Sequence, residues 1–347
     1  MRMATKRLEF IDFAKGICII LVVLVHIDRY GIFYFSPAVS GAFFSFRMPL
    51  YFIISGLFLS FKPKVGGGKS IDYKSFIEKK INRLLIPLVF FTLLTNLYNY
   101  VCFRLGLHSF FELRSSFLMA VDESYSGNPM WNNGPIFFVL WLFITYMFVA
   151  VLNFMCRGNI VCMWILAIVL GVVGFYSQLP LTIDTAMTCT PFVLFGMTLK
   201  KYTNFLTFEV KNSSKILMMI GAVAVLLLLI LISPSPNYFY KNEYGTTCLE
   251  MYLYGILGTM SVLMFAKAIN KFASINYIGR YSIVILGVHN ILINDLYKFS
   301  AKIGMGHILQ ELFVLIIVLF VSIVCVKLFI KYIPKLVAQD DFIKISW

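Results

Sequence analysis

Ten apolar windows divide this chain of 347 residues, each long enough to cross about 30 Å of hydrocarbon at about 1.5 Å of rise per helical residue. They cover 10–27, 41–61, 84–103, 134–155, 160–177, 183–199, 216–232, 247–266, 276–293 and 311–330. Composition agrees with them. Hydrophobic residues make up 60% of the chain and charged residues 13%, with a mean hydropathy of +0.85, against roughly 45–50% and about 25% in soluble domains. The expectation is an all-α, polytopic membrane protein of about ten transmembrane helices, embedded in the lipid bilayer. Polar connections are short except at 62–83 and 104–133, so 1–347 reads as a single membrane domain, with the glycines at 66–68 as an elbow in the inner loop. The first window follows Lys6 and Arg7 as a signal peptide would, but it is too long and no small-residue cleavage site follows. It is expected to remain as the first span.

The formal net charge is +14. Its distribution excludes a nucleic-acid partner, because the basic residues sit between apolar stretches rather than along one polar face. With the N-terminus in the cytoplasm, inner segments hold 22 of the 30 Lys and Arg, counting Arg280 and Lys327 near the inner ends of their windows, and outer segments six, while Lys15 and Arg47 fall deeper inside windows. An even number of spans then puts both termini in the cytoplasm, as in a multi-pass protein of the cell's inner membrane. The seven cysteines (Cys18, Cys102, Cys156, Cys162, Cys189, Cys248, Cys325) lie mostly in or beside apolar runs and show no CxxC or Cys/His ligand spacing. Neither a disulfide framework nor zinc or any other metal is expected from them.

Chemistry is sought first at ionisable groups inside the windows, because such groups are costly in lipid and face a bundle interior or a wet cavity. In the first window Asp12, Lys15 and His26 share an arc of roughly 60° at 100° per residue, a polar stripe running across the membrane. The alternative is an interfacial Asp12–Lys15 pair with His26 bonded to a neighbouring helix. Arg47 in the second window needs a carboxylate such as Glu250 or Asp184, or something anionic or wet. Gly56, next to Ser55, reads as a close helix contact. Lys79, Lys80 and Arg83, within one turn just before the third window, suit a phosphate or merely satisfy the positive-inside rule. Glu250 and His289 are placed near the outer end, where either could meet His26 as a packed polar group or as part of an acid–base pair. Aromatic residues of the outer connections (Phe110, Phe111, Tyr125, Trp131, Tyr238, Phe239, Tyr240) belong to an interfacial belt or stack on sugar rings.

The blocks RLEFIDFAKGICIILVVLVH, FSFRMPLYFIISGLFLS, KKINRLLIP, PFVLFGMTLKK and INYIGRYSIVILGVHN resemble, in that order and over nearly the whole chain, the acyltransferase 3 family of membrane O-acyltransferases. The opening block, with Lys15 followed by Gly16, is most similar to the branch of fucose and polysaccharide O-acetylases. The resemblance implies that His26 is the catalytic His, separated by ten residues from the basic Lys15, where Arg is commoner. It implies that Lys80 and Arg83 are the paired basic residues before the third span. Arg47 stands where that branch often has His.

The implied activity is transfer of an acyl group, most simply acetyl, from cytoplasmic acetyl-CoA to a hydroxyl of a cell-surface or lipid-linked carbohydrate. The donor's phosphates would lie near Lys15, Lys80 and Arg83. An imidazole has an ordinary pKa near neutrality, so His26 could take the hydroxyl proton or carry the acyl group itself. Asp12 would orient Lys15, and Glu250 or His289 would polarise His26. The competing class is a transporter or flippase for a glycolipid or polysaccharide, which usually shows broken helices paired between two halves. No such pairing is visible between windows one to five and six to ten. A scaffold without chemistry has no use for a buried Lys and His on one face.

Overall fold

The structure, a computed structural model, describes residues 8–28, 30–31, 37–61, 71–109, 134–232 and 235–343. The glycines at 66–68, Phe110, Phe111, Tyr125, Trp131 and the side chain of Tyr240 lie outside the described residues. The described chain is helical almost throughout. Its helices are α1 (Glu9–Ile27), α2 (Pro37–Leu57), α3 (Tyr73–Lys80), α4 (Ile86–Arg104), α5 (Phe138–Met155), α6 (Ile160–Tyr176), α7 (Ile183–Tyr202), α8 (Asn212–Ile232), α9 (Cys248–Ile269), α10 (Ala273–Arg280), α11 (Ser282–Val288), α12 (Ile293–Lys302) and α13 (His307–Tyr332). A π-helical turn, Ile81–Leu85, joins α3 to α4, and a two-stranded antiparallel ribbon pairs Asn237 with Tyr244.

Among the described residues, seven helical segments are long and apolar enough to cross a membrane: α1, α2, α3 with α4, α5 with its 3-10 lead, α8, α9 and α13. α6 is a shorter apolar helix of 17 residues, and α7 carries enough Thr, Asp and Lys to be less apolar. Nine of the ten predicted windows therefore fall on one continuous helix each. The ninth does not. Window 276–293 is divided between α10 and α11 and then enters a turn at 289–292 before α12. Apolar residues run across the break without interruption, which is why hydropathy alone reads one span there.

The most apolar helices are the least covered: only 11% of the spanning window of α8 and 22% of that of α13 are buried, against 61% for α1 and 67% for α2. That is the arrangement expected when lipid is the outer solvent and polar groups withdraw to the centre. The centre is built on two crossings where glycines let backbone approach backbone. α1 meets α10 where Gly16 faces the Ile275 carbonyl and Gly279 faces the Asp12 carbonyl. α2 meets α7 where Gly56 faces the Val193 carbonyl and Gly196 faces that of Ile53, so the predicted close contact at Gly56 is present. Asn276 bolts the first crossing by donating to the backbone carbonyl and the carboxylate of Glu9. In α7, Pro191 interrupts the backbone ladder, and the Tyr252 hydroxyl donates to the nearby Thr188 carbonyl at 2.8 Å.

A Cβ at Gly279 would overlap the Asp12 carbonyl oxygen, and backbone cannot retreat as a flexible side chain can. Gly279→Ala should therefore cost about 1–3 kcal/mol or more, read as a lower thermal midpoint in detergent. Gly221→Ala on α8, where a Cβ meets nothing within 4 Å, should leave that midpoint unchanged or raise it, since Gly in a helix interior costs about 1 kcal/mol relative to Ala.

Candidate functional site

His26 occupies the last turn of α1. Its ring centroid lies 5.3 Å from that of His289, with the planes inclined at 53°. His289 is 1% exposed and sits where α11 ends, so the break in the ninth window is what turns this ring toward α1. Behind it, Gly287 packs directly on the Phe91 ring, a contact no larger residue could make. The Nδ1 of His289 lies 2.9 Å from the Ile285 carbonyl. A carbonyl only accepts, so Nδ1 carries the proton and Nε2 of the neutral ring presents a lone pair. That Nε2 is buried and meets no hydrogen-bond partner among the described residues. Next to His26, the Tyr297 hydroxyl donates to the Ile27 carbonyl at 2.5 Å and fixes the end of α1 against α12.

Arg47 is 8% exposed, and its guanidinium carbon stands 3.8 Å above the Phe44 ring. Its backbone carbonyl accepts from the Cys18 thiol at 3.0 Å, which locks α2 to α1 midway along the polar stripe. No ion pair joins Arg47 to Asp184 or Glu250, the two carboxylates expected as its partners. Each of those serves its own helix N-terminus, where backbone N–H groups lack helical acceptors. Asp184 accepts from Leu179 N at 3.1 Å and Thr185 N at 2.7 Å. Glu250 closes a capping box with Thr247, accepting from the Thr247 backbone N–H at 2.9 Å and its hydroxyl at 2.7 Å. Glu250 therefore takes no part in the histidine pair.

Asp12 is buried and Lys15 half-buried on α1, with the Lys15 carbonyl accepting from the Tyr51 hydroxyl at 3.4 Å. The two basic residues before the third span part company. The π turn that follows Lys80 is a rare conformation that recurs at functional sites. Lys80 turns inward, its ammonium 3.4 Å from the Tyr146 ring centroid and 5.4 Å from that of Phe76. Arg83 turns outward, pairs with Asp341 at 3.3 Å and donates to the Ala338 carbonyl. Between them Asn82, 1% exposed, clasps the C-terminal segment: its amide donates to Ile343 O at 2.9 Å and accepts from Phe342 N at 2.8 Å and Ile343 N at 2.7 Å.

Other groupings lie beyond the reach of sequence spacing. Lys267, a topology charge in the sequence, is buried among the rings of Phe10, Phe205 and Phe208 and donates to the Phe205 carbonyl. Cys102, His108 and Asp295 converge at the end of α4. Tyr238 sets its ring edge-on to Phe44 at 5.4 Å, and Phe239 is buried against Tyr244. Phe239 is thus core, while Tyr238 stays partly open above the Arg47–Phe44 pair.

A family model described as an acyltransferase domain matches residues 8–330. No curated protein and no solved structure matches the chain.

Asn82→Ala should release the C-terminal segment by leaving its backbone groups without their amide partner, a loss of about 1–3 kcal/mol. The measurement is limited trypsin digestion in detergent. Cleavage after the exposed Lys335 should accelerate in the variant while the membrane-embedded remainder stays intact.

Proposed function

The chain is a membrane acyltransferase belonging to the acyltransferase 3 family, and we propose that it moves an acyl group, acetyl in the simplest case, from cytoplasmic acyl-CoA to a carbohydrate hydroxyl on the outer side. In this reading both termini are cytoplasmic, the membrane is the cell's inner membrane, and the acceptor is a cell-surface or lipid-linked sugar of the kind handled by the polysaccharide O-acetylase branch. The excess of basic residues in the inner segments supports that orientation.

The observation that carries the proposal is the pair of rings at one end of α1: His26 facing His289, whose own proton is committed to the Ile285 carbonyl. In this scheme the free Nε2 of His289 accepts a hydrogen bond from one His26 ring N–H once substrate is bound, which orients His26 and leaves its other nitrogen to receive the hydroxyl proton. His26 takes that proton as the acceptor oxygen attacks the thioester carbon. The carbon–sulfur bond breaks, and the departing coenzyme A sulfur receives a proton, leaving ester and free thiol. If the acyl group first rests on His26, the same bonds exchange in two steps through an acyl-imidazole. Arg47, buried on α2, supplies a fixed positive charge for the developing oxyanion.

At the other end of the polar stripe, Lys15, Lys80 and Arg83 receive the donor's phosphates. Lys80 acts as a point charge held beneath Tyr146, and Arg83 as a guanidinium that exchanges Asp341 for phosphate. Asp12 positions Lys15 on the same face of α1. No metal takes part in this scheme.

The test uses purified protein in nanodiscs with radiolabelled acetyl-CoA. Wild type should consume thioester or retain label, and His26→Ala should reduce this to background, a loss of about 10²–10⁴ if the ring is the base. His289→Asn, which lacks the ring acceptor, should lower kcat while leaving KM for acyl-CoA near its wild-type value. Folded protein that consumes no short acyl-CoA, or a His26→Ala variant that turns over like wild type, would overturn the proposal.

A further inference from the structure

We propose that Cys102, His108 and Asp295 form a binding site for a zinc-like divalent cation, separate from the histidine pair. The three side chains come from different parts of the chain and meet at one end of the bundle. Cys102 is two residues before the end of α4, His108 lies in the turn after it, and Asp295 is in the first turn of α12. One donor atom from each lies within 4.8 Å of the other two.

Local backbone geometry brings the first two together. Gly106, at φ +72°, lets the chain reverse after α4, a conformation open to Gly without steric penalty. The N–H groups of Leu107 and His108 then both donate to the Cys102 carbonyl, at 2.9 and 3.3 Å, and fold the imidazole back over the thiol. Asp295 arrives from the other side. Its Oδ1 lies 2.8 Å from His108 Nε2, and its Oδ2 accepts from the Tyr98 hydroxyl at 2.6 Å.

The donor set selects the metal. A thiolate, an imidazole and a carboxylate are the ligands zinc takes, whereas magnesium and calcium want oxygen alone. Zinc ligands at about 2.0–2.3 Å in tetrahedral array stand roughly 3.3–3.7 Å apart, so the trio needs only a small adjustment. Three protein ligands leave a fourth position for water. Tyr98 holds the distal carboxylate oxygen and aims the near one at the site, as outer ligands of zinc centres do. Access is graded as well. Cys102 is 5% exposed, while the side chains of His108 and Asp295 are 11% and 26% exposed, so the sulfur lies at the bottom of a site open on its other side. Binding replaces the Cys102 thiol proton and the Nε2 proton that His108 shares with Asp295; both leave to water or, for the imidazole, shift to Nδ1, as the sulfur–metal and nitrogen–metal bonds form. The expectation from sequence that no cysteine holds a metal rested on spacing along the chain, and Asp295 is too distant in sequence for any spacing rule to join it.

The experiment titrates Co²⁺ into the full-length, chelator-treated protein in detergent and follows the near-ultraviolet thiolate-to-cobalt absorption, then displaces it with Zn²⁺. Wild type should take up one equivalent with that band, and Zn²⁺ should abolish it. Cys102→Ser should lose the band while remaining monodisperse, and Tyr98→Phe should keep it with about 10–100-fold weaker binding. If Cys102→Ser does not fold, Asp295→Asn carries the same expectation of lost stoichiometric binding. A wild type without the band, or a band of equal strength in Cys102→Ser, would overturn the proposal.

Discussion

The two glycine crossings, α1 on α10 at Gly16 and Gly279 and α2 on α7 at Gly56 and Gly196, set the distances on which the centre of this molecule depends. In lipid no hydrophobic force draws helices together, so close backbone contact and hydrogen bonds have to do so. Once α1 is pressed to α10, the chain that follows α10 is held beside α1 along its length. α11 must then end opposite the last turn of α1, and His289 is delivered to His26. The Cys18 thiol bonded to the Arg47 carbonyl couples the second crossing to the first. The histidine pair is thus a product of backbone approach some turns away.

Much of the fold was legible because a bilayer imposes one length and one polarity on every span. Windows such as 84–103 and 311–330 fall on helices for that reason alone. The ninth window misled because its break is set by packing: Gly287 against Phe91 and a turn at 289–292 leave no mark in hydropathy. Gly56 was readable as a contact, since small residues have few other uses in a span. The partners expected for Arg47 were not. Asp184 and Glu250 look like intramembrane charges in the sequence, yet both sit at helix N-termini, where free backbone N–H groups claim a carboxylate first.

The polar stripe of α1 survives as geometry, with Asp12 buried, Lys15 half-buried and His26 at the far end. The paired basic residues show how one motif divides. Lys80 and Arg83 read alike as positive charge, but the π turn and the rings of Tyr146 and Phe76 draw one inward while Asp341 draws the other out. Three-residue spacing says that two side chains are neighbours on an ideal helix. It does not anticipate a local change of helical period.

The clasp at Asn82 joins residue 82 to residues 342 and 343, across nearly the whole chain. During synthesis the first of these partners enters the membrane long before the last has left the ribosome. Asn82 must wait, its amide hydrated or borrowed, until every intervening span is in place. Closure of this corner therefore comes only after the last span is in place, and a chain that stalls before it leaves the Asn82 amide without these partners.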